Sequence, residues 1–151
     1  MNLVLEKVDY NNKHHLLFLK ELMKSSNMHY LWDISDENLM INNNDDRFIV
    51  LNSEKEEIGY INISDATDAY YGKTVSVYYA ITESKRGNHY GTMVMNQVSN
   101  YLFYKRDIDC IIAQVDVKNV ASQKVLVNSK YDKLYEDTKD YKYYRLKKNA
   151  S

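Results

Sequence analysis

Arg86-Gly87-Asn88-His89-Tyr90-Gly91-Thr92 follows an alternating strand candidate, Lys73 to Ile81, and opens the strongest amphipathic helix candidate of the chain, Asn88 to Phe103. A strand that feeds a helix through exposed backbone N–H groups can hold a phosphate ester at the positive end of that helix. The stretch therefore points to a nucleotide-bearing cofactor. Gly87 and Gly91 are two of the four glycines in the chain, and glycine at such a junction lets backbone approach a ligand closely. The N–H groups from Gly87 through Thr92 can converge on a pyrophosphate, which a helix end stabilises by about 0.3–1 kcal/mol. Lys85 and Arg86 add positive charge. The stretch is not a dinucleotide fingerprint, because Gly-x-Gly-x-x-Gly is absent, nor a nucleoside-triphosphate loop, because Gly-Lys-Ser/Thr is absent.

On either side of this junction the hydrophobic periodicity sets out an α/β order. Leu3 to Val8 reads as a first strand. Lys13 to Lys24 reads as a helix with Leu16, Leu19 and Met23 on one face, broadened by Leu17 and Phe18. Asn27 to Asp33 is an irregular link, and Ser35 caps a short helix anchored by Leu39, Met40 and Ile41. Arg47 to Leu51 and Glu57 to Ile63 form an antiparallel pair, followed by the strand ending at Ile81. In the helix after the junction, Tyr90, Val94, Val98 and Tyr101 recur at helical spacing. Cys110 to Val115 is continuously apolar, as expected of a strand covered on both faces. Asn119 is placed to cap a helix to Asn128 with Ala121, Val125 and Leu126 facing inward. Tyr131 to Glu136 and Tyr141 to Leu146 close the order as a hairpin. The expected fold is one α/β domain over residues 1–151, with helices packed on a mixed sheet.

Composition removes several function classes. The 20 Lys and Arg balance 21 Asp and Glu, for a formal charge of -1, so bulk attraction to nucleic acid or to an anionic membrane has little support. No apolar stretch is long enough to span a bilayer. Cys110 is the only cysteine among 151 residues, which precludes an intrachain disulfide and, beside Ile111 and Ile112, reads as a buried thiol. A reducing, cytoplasmic setting is expected. Dispersed histidines and one cysteine lack the spacing of a zinc site, so no metal is expected. His14 and His15 are adjacent on a helix, point apart and make a poor shared metal site.

The motif at the junction resembles one family. Arg86-Gly87-Asn88-His89-Tyr90-Gly91 is similar to the Gln/Arg-x-x-Gly-x-Gly/Ala segment of the GCN5-related N-acetyltransferase (GNAT) superfamily, with His89 in place of the first glycine. The resemblance runs from Leu3 to Leu146. Asn119 and Ser122 match a second pattern, Asn-x-x-Ser, common in the branch that looks like ribosomal-protein N-terminal acetyltransferases. The resemblance implies acetyl-CoA as acyl donor, a mostly antiparallel sheet and a splayed parallel pair of central strands, one ending at Ile81 and the other near Val115. Arg86, Gly87, Asn88, His89, Tyr90, Gly91 and Thr92 would then meet the pyrophosphate. Main chain at Ile81 would pair with the pantetheine amides, Asn119 would contact the same arm, and Lys124 would reach the adenosine side.

For the chemistry, the resemblance puts an oxyanion-binding N–H near Tyr79 to Ile81. It makes Ser122 the first choice for donating a hydrogen bond or proton to the departing thiolate, with helix capping or cofactor orientation as its other reading. The tyrosine that many relatives place one turn beyond is Leu126 here. Tyr131 matches the aromatic of the family's Gly-Phe element, with Lys130 replacing the glycine, and reads as a core aromatic with a satisfied hydroxyl. Gln114 stands where some peptide acetyltransferases carry a basic glutamate, and an amide cannot take a proton. Glu83 is the candidate base, with Asp116 behind it, although exposure is the simpler reading of both. His29, near Tyr30 and Trp32 in the link, is a further base candidate.

The expected activity is acetyl transfer from acetyl-CoA to a primary amine by direct attack, with a peptide or protein N-terminus as first acceptor. A small-molecule or aminoglycoside-like amine is the alternative, and Asp36, Glu37, Asp45, Asp46, Asp65 and Asp68 would attract a cationic one. A non-catalytic acyl-CoA-binding regulatory protein is the competing class, favoured by Gln114 and Leu126. A purely structural α/β domain accounts for each residue singly but not for their shared order. The tyrosines of the terminal hairpin, Tyr135, Tyr141, Tyr143 and Tyr144, allow a homodimer.

Overall fold

The computed structural model describes residues 3–9, 11–26, 46–66, 72–82, 90–134 and 138–148. The strands among them are β1 (Val4–Lys7), β2 (Asp46–Leu51), β3 (Glu57–Asp65), β4 (Thr74–Ile81), β5 (Cys110–Asp116), β6 (Asp132–Lys133) and β7 (Tyr141–Lys147). The helices are α1 (Lys13–Ser26), α2 (Tyr90–Lys105) and α3 (Val120–Asn128). The strands form one seven-stranded sheet in the order β1-β2-β3-β4-β5-β7-β6. β4 and β5 are parallel, while β1/β2, β5/β7 and β6/β7 are antiparallel. This is the mixed α/β sheet that the sequence predicts, mostly antiparallel with one parallel pair as the family resemblance implies. The helix expected after Ser35 lies outside the described residues.

Contacts group the chain into two compact units, Met1–Asn62 with Tyr79–Tyr90, and Ile63–Tyr78 with Gly91–Ser151. In the first, β1 pairs with β2 from Val4↔Leu51 to Lys7↔Phe48. Leu19, Leu22, Ile49, Val50, Ile58 and Ile61 are buried there, each stabilising the fold by about 1.5–3 kcal/mol relative to exposure. On α1 the inward residues are His15, Leu19 and Leu22, whereas Leu17 is exposed. Asn12 caps this helix, its Oδ1 accepting from the N–H groups of His14 (2.9 Å) and His15 (3.2 Å). The two histidines diverge as adjacent helical positions must. His14 Nε2 meets Glu57 Oε1 at 2.7 Å and His15 Nε2 meets Glu6 Oε1 at 2.6 Å. His15 Nδ1 also accepts from the Asp9 N–H at 2.9 Å, so its proton sits on Nε2. A Cβ on Gly59 would lie 2.5 Å from the Ala80 carbonyl oxygen, and only glycine lets β3 and β4 approach that closely.

In the second unit β5 is the axis. It pairs with β4 from Thr74↔Cys110 to Val77↔Ala113 and with β7 along its full length, from Cys110↔Lys147 to Asp116↔Tyr141. Strand β6 starts one residue later than expected, because Tyr131 is spent on closing α3. The C-terminal N–H groups of that helix fold back, Lys130 N to Val127 O at 3.1 Å and Tyr131 N to Leu126 O at 3.0 Å, which is a Schellman closure. It places Lys130 at φ 72. Helix α2 buries Val94, Met95, Val98, Ser99, Leu102 and Phe103. Tyr101, expected inward, is 38% exposed; the buried stripe turns toward Met95 and Leu102 because a tyrosine hydroxyl finds water more easily than a partner in a core. On α3 the inward residues are Ser122 and Leu126, whereas Ala121 is exposed and Val125 half-buried.

Candidate functional site

Tyr90, Gly91 and Thr92 are the first residues of α2. The first N–H groups of a helix have no intrahelical acceptor, and no acidic side chain occupies this first turn. The positive end of α2 is thus not neutralised by its own residues, and it favours an anion. A Cβ built on Gly91 would lie 3.0 Å from Val125 Cγ2, so the start of α2 rests directly on α3, three residues past Ser122. Gly91 therefore has a packing reason, beside the ligand reason expected from the sequence. Glu83, Arg86, Gly87, Asn88 and His89, like His29 and the link around it, lie outside the described residues.

Asn119 is the N-cap of α3, its Oδ1 accepting from the Ser122 N–H at 3.0 Å. The cap uses the carbonyl side of the amide, and the amide NH2 is a donor besides. Ser122 is 8% exposed. Lys124 is exposed and lines a cavity of about 330 Å³ with Gln123, Val127 and Tyr144. The turn from β5 into α3 is held by its own polar side chains. Asp116 Oδ1 accepts from the Lys118 N–H at 2.8 Å, and Gln123 Nε2 donates to the Val117 carbonyl at 3.0 Å. Asp116, expected at the surface, is 5% exposed, because this turn tucks it under the helix start.

Strand β4 runs to Ile81, four residues past Val77, where its register with β5 ends. Ile81 is half-buried. Just beyond it the Thr82 N–H donates to the Ile58 carbonyl at 2.9 Å, while Thr82 Oγ1 is buried without a hydrogen-bond partner. On β5, Gln114 is half-buried opposite Tyr143.

Two family positions are core residues here. Leu126 is fully buried. Tyr131 is 3% exposed, and its hydroxyl lies 2.9 Å from Ser99 Oγ, which in turn donates to the Met95 carbonyl at 2.6 Å. This is the satisfied core tyrosine that the sequence predicts. Burial pushes the Cys110 thiol up despite the nearby Arg145 and Lys147 charges, as fits a structural rather than a nucleophilic cysteine. Among the described residues no group of three or more His, Cys, Asp or Glu could hold a metal ion, and no helix is long and apolar enough to cross a membrane. Sequence reasoning missed the Gly91–Val125 contact, because nothing in one sequence pairs two helices.

Residues 9–131 match the family model described as Acetyltransferase (GNAT) domain. Among solved structures, a mutant of spermidine N-acetyltransferase SpeG from Vibrio cholerae is similar at 16% identity, over 96% of this chain and 93% of that one, with a TM-score of 0.75. The dodecameric structure of that enzyme in an intermediate state gives 17% identity, 96% and 93% coverage, and a TM-score of 0.74. The Campylobacter jejuni N-acetyltransferase PseH in complex with acetyl coenzyme A gives 18% identity, 98% and 100% coverage, and a TM-score of 0.73. No curated protein matches in sequence.

Proposed function

The chain belongs to the GNAT acetyltransferase family, and we propose that, as one domain over residues 1–151, it moves an acetyl group from acetyl-CoA, the family's acyl donor, to the primary amine of a small molecule by direct attack. The observation that carries this reading is the contact of α2 with α3. It puts a helix start with no acidic residue beside the helix that holds Asn119 and Ser122, which suits a donor with a pyrophosphate and a thioester at its two ends. The acceptor order departs from the sequence expectation of a peptide N-terminus. The structural relatives above include a spermidine N-acetyltransferase, which supports a small, cationic amine, and nothing among the comparisons favours the ribosomal-protein branch.

Acetyl-CoA supplies an activated acetyl thioester with a thiolate leaving group. In our reading Arg86 to Thr92 hold the pyrophosphate through main-chain N–H groups. The Asn119 amide, freed from capping on its NH2 side, orients the pantetheine arm together with main chain at Ile81, and Lys124 meets the adenosine end. A main-chain N–H in Tyr79 to Ile81 stabilises the oxyanion as the amine nitrogen bonds to the carbonyl carbon. Glu83 takes the proton that the amine loses. Ser122 hands a hydrogen bond or proton to the sulfur as the C–S bond breaks. Gln114 and Leu126 cannot move a proton, which makes Glu83 and Ser122 our first choices, with Asp116 and His29 behind Glu83 as bases.

Thermal unfolding with acetyl-CoA, followed by detection of released CoA thiol over a panel of polyamines, small amines and peptides, tests this. We expect acetyl-CoA to raise the midpoint and CoA release to require an amine, fastest with a polyamine. Acetyl-CoA binding with no release across the panel would instead select a non-catalytic acyl-CoA-binding protein, and release only with peptides would restore the N-terminal acceptor.

A further inference from the structure

We propose that the second unit carries a separate binding site for a small phosphate monoester, in the cavity lined by the C-terminal half of α2, the end of α3 and the end of β7. The cavity measures about 730 Å³, within the range of small-molecule sites. Among the described lining residues, Lys130, Arg145 and Lys147 stand with one carboxylate, Asp132, so cationic side chains predominate. A phosphate monoester carries about −1.5 to −2 charges at neutral pH, and a lining of mostly cationic side chains suits it. Ser129 also lines the cavity. It is 5% exposed and its Oγ is buried without a hydrogen-bond partner, an arrangement that costs stability unless something in the cavity satisfies it. Phe103 and Tyr104 supply an aromatic wall for the organic part of the ester.

The site is built rather than incidental. Lys130 is held at φ 72 by the closure of α3, so helix geometry, not a loose loop, sets its backbone. It is also distinct from the acyl-donor site. Lining residues 96–104 lie about 6–18 Å along the α2 axis from Thr92 at 1.5 Å per residue, away from the helix start that faces the cofactor. The inference does not rest on the proposed activity.

Calorimetric titration of the full chain with phenyl phosphate, alone and with saturating CoA, tests it. Binding should persist when CoA is present and should exceed that of inorganic phosphate, which cannot use the aromatic wall. The double variant K130Q/K147Q, in which both substituted lysines are exposed in the parent, should bind about tenfold or more weakly, through loss of charge-assisted contacts. Ser129→Ala should weaken binding by a smaller factor, and Lys13→Gln, outside the cavity, should leave it unchanged. Should K130Q/K147Q melt early, Lys147→Gln alone carries the same expectation. Displacement by CoA, undiminished binding in the lysine variants, equal binding of inorganic phosphate, or no binding at all would each overturn the proposal. Binding that follows these expectations in a chain that fails to bind CoA leaves this site standing and removes the acyl-donor reading.

Discussion

The two ends of α3 are closed in opposite ways. At the start, Asn119 caps with a side chain well suited to the job and gives the Ser122 N–H an acceptor at 3.0 Å. At the finish, Lys130 occupies the left-handed position at φ 72, where a glycine would sit without a Cβ penalty. The start is locally optimal and is also where the family's Asn-x-x-Ser pattern falls. The finish carries strain on a lysine that lines the anion cavity. The difference teaches that an optimal residue at a helix end can hide two roles, whereas a costly one asks for a reason.

The largest effect should come at the start. Ser122→Ala removes the proposed donor to the thiolate but keeps the backbone N–H that Asn119 caps, so kcat should fall about 100-fold or more while the melting midpoint barely moves. Steady-state kinetics with a polyamine acceptor checks it. An unchanged kcat would reduce Ser122 to a helix residue.

Asn119 can be split into its two roles. Asn119→Ala should cost about 1 kcal/mol of stability through the lost cap and weaken acetyl-CoA as well. Asn119→Asp keeps an acceptor for the Ser122 N–H and discards the amide donor. Its stability should stay within about 0.5 kcal/mol of the parent, while the KM for acetyl-CoA rises about tenfold, one lost charge-free donor plus an added negative charge. If Asn119→Asp behaves as the parent in KM, capping alone explains the residue.

Much of this was readable in the chain. The β5 run is apolar because both its faces are covered, and the Asn119 cap, the buried Cys110 and the satisfied Tyr131 all follow from local rules that one sequence carries. What escaped depends on distant partners. The inward stripe of α2 turns on which neighbours meet Met95, Leu102 and Tyr101, and periodicity alone cannot choose among adjacent apolar positions. Gly59 and Gly91 are explained by Ala80 and Val125, residues far away in the chain. Strand β6 starts later than expected because the helix closure at Lys130 and Tyr131 has no glycine to announce it. Of the site, Tyr90 to Thr92, Asn119, Ser122, Lys124 and Ile81 fall on described elements, while Glu83 and Arg86 to His89 lie outside them.

Tyr131→Phe separates the core from the chemistry. Ser99 Oγ would keep its bond to the Met95 carbonyl and lose the phenol, so the expected cost is about 0.5–1.5 kcal/mol. Denaturant unfolding measures that, and kcat should not change, since the hydroxyl is turned toward Ser99 inside the core. A large fall in kcat with stability intact would make Tyr131 the acid in place of Ser122.

The smallest effect belongs to the strained end, and its sign is the point. A left-handed non-glycine residue costs about 1–2 kcal/mol, of which part is returned because glycine also loosens the unfolded chain by about 0.5–1 kcal/mol. Lys130→Gly should therefore stabilise by about 0.5–1 kcal/mol, a rise of about 1–4 °C in the melting midpoint for a chain of this length. Lys55, at φ 63 in the β2–β3 turn, provides the comparison: Lys55→Gly should gain a similar amount without touching the cavity. If the two gains agree while only Lys130→Gly weakens phenyl phosphate, the lysine at the end of α3 is kept for its charge at the cost of its backbone. If Lys130→Gly destabilises instead, the side chain contributes packing that outweighs the left-handed strain, and the contrast between the two ends of the helix fails.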